Sequence, residues 1–188
     1  MSSSALAPQF LADITLDLLS KEEQLLPYGI RGFRECDVQF LLWRELLRRY
    51  KETVLEEKRT DVVVRDDKKE VIATIELKGP WFAKGRPELI PEYAKVFKKD
   101  FEKHFDRISL GLPGQCYSLW IFTGENEGAI KEVFDRFLKH ACTAAPGCLV
   151  DPPASSKLLD LSNSVLRRRF CRVYAVRVFK DSLVTTVA

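Results

Sequence analysis

The chain is short of the residues that most hydrolases use for nucleophilic chemistry. Only two histidines, His104 and His140, occur in its 188 residues. Neither lies in a nucleophile-elbow or protease-like context, so a Ser/His or Cys/His hydrolase is not expected. There is no glycine-rich phosphate loop and no dinucleotide fingerprint, which argues against nucleotide chemistry of those two kinds. The five cysteines form no C-x-x-C pair. Cys36, Cys142, Cys148 and Cys171, with or without His140, therefore lack the spacing of an iron–sulfur or zinc site and read as free thiols of a reducing compartment. No apolar run approaches the roughly 20 residues that cross a bilayer. The start, MSSSALAPQFLADITLDLLSKEE, lacks the basic first residues and continuous apolar stretch of a secretory leader. The expectation is an intracellular protein, cytoplasmic or, in a eukaryote, nuclear, with no membrane partner. An excess of one charge is missing too: 30 Lys and Arg stand against 27 Asp and Glu, a net +3 that falls well short of a nucleic-acid-coating protein.

What is present is an ordinary globular composition, 46% hydrophobic and 30% charged, which places the chain outside the disordered class. The length fits one domain over 1–188 with a sizeable core. Phe10, Leu11, Ile14, Leu18 and Leu19 recur at helical spacing, so 1–30 reads as an N-terminal helical extension, ended by Pro27 and Gly29. A second helix is expected from Glu35 to Lys51, with Val38, Leu41, Leu42 and Leu46 as its apolar stripe. Strands are expected at 53–57, 61–65 and 70–78, the last stopped by Gly79-Pro80. A long helix over 88–108 carries Phe97, Phe101 and Phe105 as a core stripe, and Gln115 to Thr123 is a continuous apolar strand. A helix over 127–140, a mobile loop over 141–156, a helix or irregular basic segment over 158–169 and a strand over 170–179 complete the chain. The expected class is α/β, a mixed central sheet flanked by helices in the order α-α-β-β-β-α-β-α-(α)-β.

The segment TDVVVRDDKKEVIATIELKG, 60–79, plants Asp61, Glu76 and Lys78 in otherwise apolar strands. Strand interiors facing a core rarely tolerate unpaired charge. If the hairpin turns symmetrically about Asp67 and Lys68, Asp61 pairs with Thr74. Asp61, Thr74, Glu76 and Lys78 then share one face, with Asp61 and Glu76 as diagonal neighbours about 7–8 Å apart. Val62, Val64, Val71, Ala73, Ile75 and Leu77 take the other face. A three-residue loop would put Asp61 on the wrong side. Two adjacent carboxylates repel unless a cation joins them, and hard oxygen ligands suit Mg²⁺ or Mn²⁺. Lys78 is placed to orient or help deprotonate a water, or to stabilise charge on a phosphate in reaction. The plain alternative is a salt-bridged surface strand, and acid-x-lysine triplets recur at Glu56-Lys58, Asp66-Lys68 and Asp67-Lys69. Only Glu76-Lys78 lies inside an apolar strand.

The arrangement Asp61…Glu76-Leu77-Lys78 resembles the PD-(D/E)xK nuclease superfamily, over residues 35–122. Thr60 precedes the first acid where that pattern often has proline. The resemblance implies a restriction-endonuclease-like fold with a nuclease-like core over 35–122. It implies Asp61 and Glu76 as metal ligands, Lys78 as catalytic lysine and a glutamate from the preceding helix, for which Glu35 is preferred to Glu45. A first-turn acid favoured by the helix dipole accounts equally well for Glu35. The expected activity is Mg²⁺- or Mn²⁺-dependent hydrolysis of nucleic acid, DNA ahead of RNA. The alternative is an inactive module of the same fold that binds nucleic acid or a protein. A homodimer is left open. The resemblance also points to polar residues on the helix after the motif, where Lys99, Asp100 and Lys103 are weaker candidates. For nucleic-acid contact the candidates are Lys84 and Arg86 after the motif, Lys99 and Lys103 on the long helix, and Arg167, Arg168 and Arg169 near the end. Lys95, Lys99, Lys103 and Arg107 recur every four residues, and with Glu102 and Asp106 between them a solvated helix face is the plain reading.

Overall fold

In the computed structural model, residues 6–25, 34–57, 60–83, 90–144, 148–161 and 169–180 are described. The elements run α1 (Pro8–Leu25), α2 (Glu35–Arg49), β1 (Val54–Glu57), β2 (Thr60–Arg65), β3 (Val71–Ala83), α3 (Ile90–Ser109), β4 (Gln115–Gly124), α4 (Glu127–Ala144), β5 (Cys148–Val150), β6 (Ala154–Ser155), β7 (Leu159–Asp160) and β8 (Phe170–Lys180). Among the described residues, eight strands form one mixed sheet in the order β1-β2-β3-β4-β8-β5, with β6 and β7 also paired to β8. The α/β class with a mixed, helix-flanked sheet is therefore as expected.

β3 and β4 pair in parallel, and α3 is the crossover between them, as a parallel pair requires. β4 is buried along Cys116–Gly124, so its sequence is a mostly apolar run, interrupted by Ser118, instead of a strict alternation. One face carries Tyr117, Leu119 and Ile121, which join Val62, Val64, Ile75 and Leu77 in a core closed by Leu11 and Leu19 of α1 and Val38, Leu42 and Leu46 of α2. The other face carries Cys116, Trp120 and Phe122, packed with Phe101 of α3 and Phe134 and Phe137 of α4. Trp120 stacks on Phe101 at 5.7 Å between ring centroids and Phe105 packs against the same cluster, so these two aromatics of the α3 stripe are core, while the Phe97 side chain lies outside the described residues.

Four local readings change. β3 does not stop at Gly79-Pro80. Its register against β4 slips between Lys78 and Trp81 and pairing then continues to Ala83. Gly79 adopts φ +116, a conformation that costs glycine little, and Pro80 lacks an N–H to give a ladder. The span 141–156, read as a loop, holds the end of α4 and the short strands β5 and β6, recruited by the long strand β8. Of the segment 158–169, Leu159–Asp160 form β7 on β8, and 162–168 lie outside the described residues.

The fourth difference is the hairpin register. Val62 pairs with Ile75, Val63 with Thr74 and Val64 with Ala73, two positions from the symmetric pairing. The tip is a five-residue loop over 66–70, an odd length that by itself turns Asp61 to the wrong face. A β-bulge opposite Val64/Arg65 adds one residue on β3 and restores the original parity. The tip is fixed locally: Asp66 Oδ1 accepts the N–H groups of Lys68 and Glu70, and Lys69 takes φ +65.

Candidate active site

Extending the observed register past Val62–Ile75 sets Asp61 directly across from Glu76, closer than the diagonal placement expected from sequence. The β2–β3 ladder ends here, and the Asp61 side chain takes over its role: Oδ2 accepts the Leu77 N–H at 2.6 Å. Gln39 of α2 donates to the Asp61 carbonyl at 3.1 Å and so ties the first helix to the same point. Glu76 and Lys78 follow at successive same-face positions and are 1% and 8% exposed. Two charged groups are thus sunk into a sheet whose opposite face is purely apolar, and their partners decide what they can do.

Lys78 Nζ donates to Glu35 Oε1 at 2.9 Å and to the Leu77 carbonyl at 2.8 Å, and Asp100 Oδ2 lies 3.6 Å away. Glu35 reaches Lys78 because it opens α2. Its other oxygen lies 3.4 Å from the Gly79 N–H, which the positive φ of Gly79 helps to present. Burial alone would lower the Lys78 pKa, but Asp100, then Glu35 and Asp61, outweigh it and hold the ammonium above its ordinary value. At neutral pH Lys78 is a charged donor. The expectation that it helps deprotonate a water does not suit that state, whereas orientation and charge stabilisation do.

Sequence reasoning gave little weight to Asp100, yet α3 buries it to 2% exposure at this site. Its Oδ2 is fully buried without a hydrogen-bond partner. Lys103, one turn on, donates to Glu76 Oε2 at 2.6 Å and lies 3.8 Å from Asp100 Oδ1. Burial pushes Glu76 up to about 7, with Asp61 and Asp100 adding to the rise and Lys103 opposing it. Burial likewise raises Asp100 to about 7 against the pull of Lys78 and Lys103. His104, fully buried on the same helix, places Nε2 3.1 Å from the Tyr117 carbonyl and 3.2 Å from Ser118 Oγ. Burial lowers its pKa to about 3, so the imidazole is neutral, and the carbonyl partner fixes the proton on Nε2. His104 pins α3 to β4 and thereby sets the height of Asp100 and Lys103 over the sheet.

Among the described residues, no three His, Cys, Asp or Glu side chains are grouped as a metal cage. Mg²⁺ seldom uses one: one or two carboxylates commonly hold it, with water and substrate phosphate completing the shell. The facing pair Asp61 and Glu76 fits that pattern, and Asp100 Oδ2, 3.6 Å from Lys78 Nζ and without a hydrogen bond, leaves an acceptor beside it that a cation would serve. Two carboxylates, one of them fully buried, are a hard-oxygen donor set suited to Mg²⁺ or Mn²⁺.

The remaining candidates fall elsewhere. Lys99 is exposed on α3 while Lys103 turns inward, so the two do not form one track. Arg169 is exposed just before β8 with its guanidinium over Phe170. Arg172 and Arg177, which extend the same basic run, are neutralised by Glu127 and Asp151. Lys84, Arg86, Arg167 and Arg168 lie outside the described residues. Of the cysteines whose side chains are described, Cys36 is exposed on α2, Cys116 and Cys171 are buried, and Cys142 is half-buried; the Cys148 side chain lies outside the described residues. Among the described residues no helix is long and apolar enough to cross a membrane.

No protein-family model matches this chain, and no curated protein or solved structure does either. The functional reading therefore rests on the residues and their geometry.

Proposed function

We propose that this protein is a metal-dependent nuclease of the PD-(D/E)xK type with a restriction-endonuclease-like core, acting on DNA ahead of RNA. The observation that carries the reading is the shared face of Asp61, Glu76 and Lys78, with Lys78 buried between Glu35 and Asp100. Asp61 and Glu76 would hold the cation, Asp61 through Oδ1, since Oδ2 serves the Leu77 N–H. When bound, the divalent cation supplies charge neutralisation and polarises a phosphate oxygen. Lys78 then acts as a fixed donor, orienting the attacking water or stabilising negative charge that develops on the phosphate. Because it is already protonated, the proton of the water goes to a carboxylate or to solvent. Glu35 and Asp100 are positioning residues: they hold the Lys78 ammonium in one place and keep it charged.

The test is cleavage of plasmid DNA and of structured RNA by the purified protein with Mg²⁺ or Mn²⁺. Glu76→Gln and Lys78→Met are each expected to slow cleavage by on the order of 10²–10³ or more while the fold melts cooperatively. Absence of metal-dependent cleavage by the wild-type protein, or cleavage by both variants at the wild-type rate, would sink the proposal.

A second reading draws on the Lys103–Glu76 pair, which neutralises the buried acid from within the chain. It makes the protein a catalytically silent module that binds nucleic acid or a protein. That reading predicts salt-sensitive binding unaffected by chelator or by Lys78→Met.

A further inference from the structure

Resting on the nuclease reading, we propose that Lys103 is an exchangeable counter-ion, occupying the cation's place in the metal-free protein and leaving Glu76 when the cation enters. Among the described residues, four carboxylates, Glu35, Asp61, Glu76 and Asp100, surround two ammonium groups, Lys78 and Lys103. With all of them ionised the site carries a formal excess of two negative charges, the charge of one divalent ion. Even with both lysines in place, the Asp100 Oδ2 oxygen, on a side chain 2% exposed, has no hydrogen-bond donor. This buried oxygen, 3.6 Å from Lys78 Nζ and without a hydrogen bond, is the independent sign that the lysines do not fully satisfy the site.

The two ammonium groups are held differently. Lys78 comes from β3, is 10% exposed along its side chain and is fixed by Glu35, a backbone carbonyl and Asp100. Lys103 comes from α3, its side chain is 38% exposed, and it reaches inward to Glu76 at 2.6 Å and Asp100 at 3.8 Å. A long, half-exposed lysine has a low-cost route back to solvent, whereas a buried one does not. Glu76 cannot give both oxygens fully to a cation while Oε2 holds the Lys103 ammonium, and a divalent ion beside that ammonium is repelled. Cation entry and Lys103 departure are therefore one exchange, and the released lysine emerges at the site's mouth, where a substrate phosphate would lie.

Mn²⁺ titration calorimetry on the metal-free full chain tests this, with thermal melting of the same samples as the fold control. Lys103→Met removes the competitor and is expected to tighten Mn²⁺ binding roughly ten- to a hundredfold, the equilibrium worth of one charge-assisted hydrogen bond. Lys103→Arg keeps the charge with a stronger carboxylate grip and is expected to weaken Mn²⁺ binding. Without metal, Lys103→Met should melt lower than wild type, and saturating Mn²⁺ should reverse the order. If wild type binds Mn²⁺ and Lys103→Met binds it equally or more weakly, the exchange is refuted while the nuclease reading stands. Should Lys103→Met fail to fold, unchanged or tighter binding by Lys103→Arg refutes it alone. If neither the wild type nor any variant binds Mn²⁺, the exchange and the metal-site reading fall together.

Discussion

Raising the pH of the chelator-treated protein from about 5 to about 8 should destabilise it, the reverse of the usual behaviour of a protein whose carboxylates are salt-bridged. Glu76 and Asp100 are each raised to about 7 in the folded state, from ordinary values of 4.5 and 3.8. The folded form therefore keeps two protons that the unfolded chain has already lost, and stability present at low pH is given up as pH rises towards 7. From about pH 5 to 7 the two carboxyls together cost about 5 kcal/mol, at roughly 1.4 kcal/mol per proton and pH unit. His104 works in the opposite sense. Its folded value of about 3 lies below the ordinary 6.5, so the unfolded chain holds the extra proton below that value and stability recovers as pH rises. Up to its unfolded value this returns about 2 kcal/mol, leaving a net loss of about 3 kcal/mol. Urea unfolding followed by far-ultraviolet circular dichroism at closely spaced pH values measures it. Asp100→Asn should halve the carboxylate contribution and leave a nearly flat profile. A wild-type profile that rises between about pH 5 and 7, or an unchanged slope in Asp100→Asn, would refute the reasoning.

Two further substitutions probe the frame around the site. Gly114 sits at φ +96, and an added Cβ would stand 2.9 Å from Val71 Cγ1 and 3.0 Å from the Val71 carbonyl. Gly114→Ala should therefore cost about 2 kcal/mol in urea unfolding, and no loss would mean that β3 can yield at Val71. Trp120 is fully buried opposite Lys78 in the β3–β4 register and packs on Phe101 and Phe134. Trp120→Ala should cost about 3–5 kcal/mol, measured in the same way.

The elements were legible because their periods were clean: α2 and α3 carry apolar stripes, and β4 is a predominantly apolar run. The common face of Asp61, Glu76 and Lys78 was legible for a weaker reason. Side-chain direction depends only on parity, so a pairing wrong by two positions still gave the right face. Glu35 was accessible as the first acid of its helix. Asp100 was legible only weakly, as one of the polar residues on the helix after the motif, because Lys95, Lys99, Lys103 and Arg107 at four-residue spacing also suited a solvated face. A signal existed: Asp100 and His104 lie four residues apart beside Phe101, so they share the edge of the buried arc. That Lys103 turns inward depends on where β3 presents Glu76, a tertiary fact without local trace. The continuation of β3 beyond Pro80 is likewise a property of its partner strand.

The bulge in β3 also sets how the hairpin tip tolerates change in length. With Val64 on Ala73, the intervening residues must close an odd loop and accommodate one spare position. A single deletion in that stretch can be met by straightening the bulge, which leaves Asp61 opposite Glu76. A second deletion finds no such reserve, and it must either strain the turn or slide the strands. The tip therefore has one residue of slack, and within that allowance its length can drift without moving the two carboxylates apart.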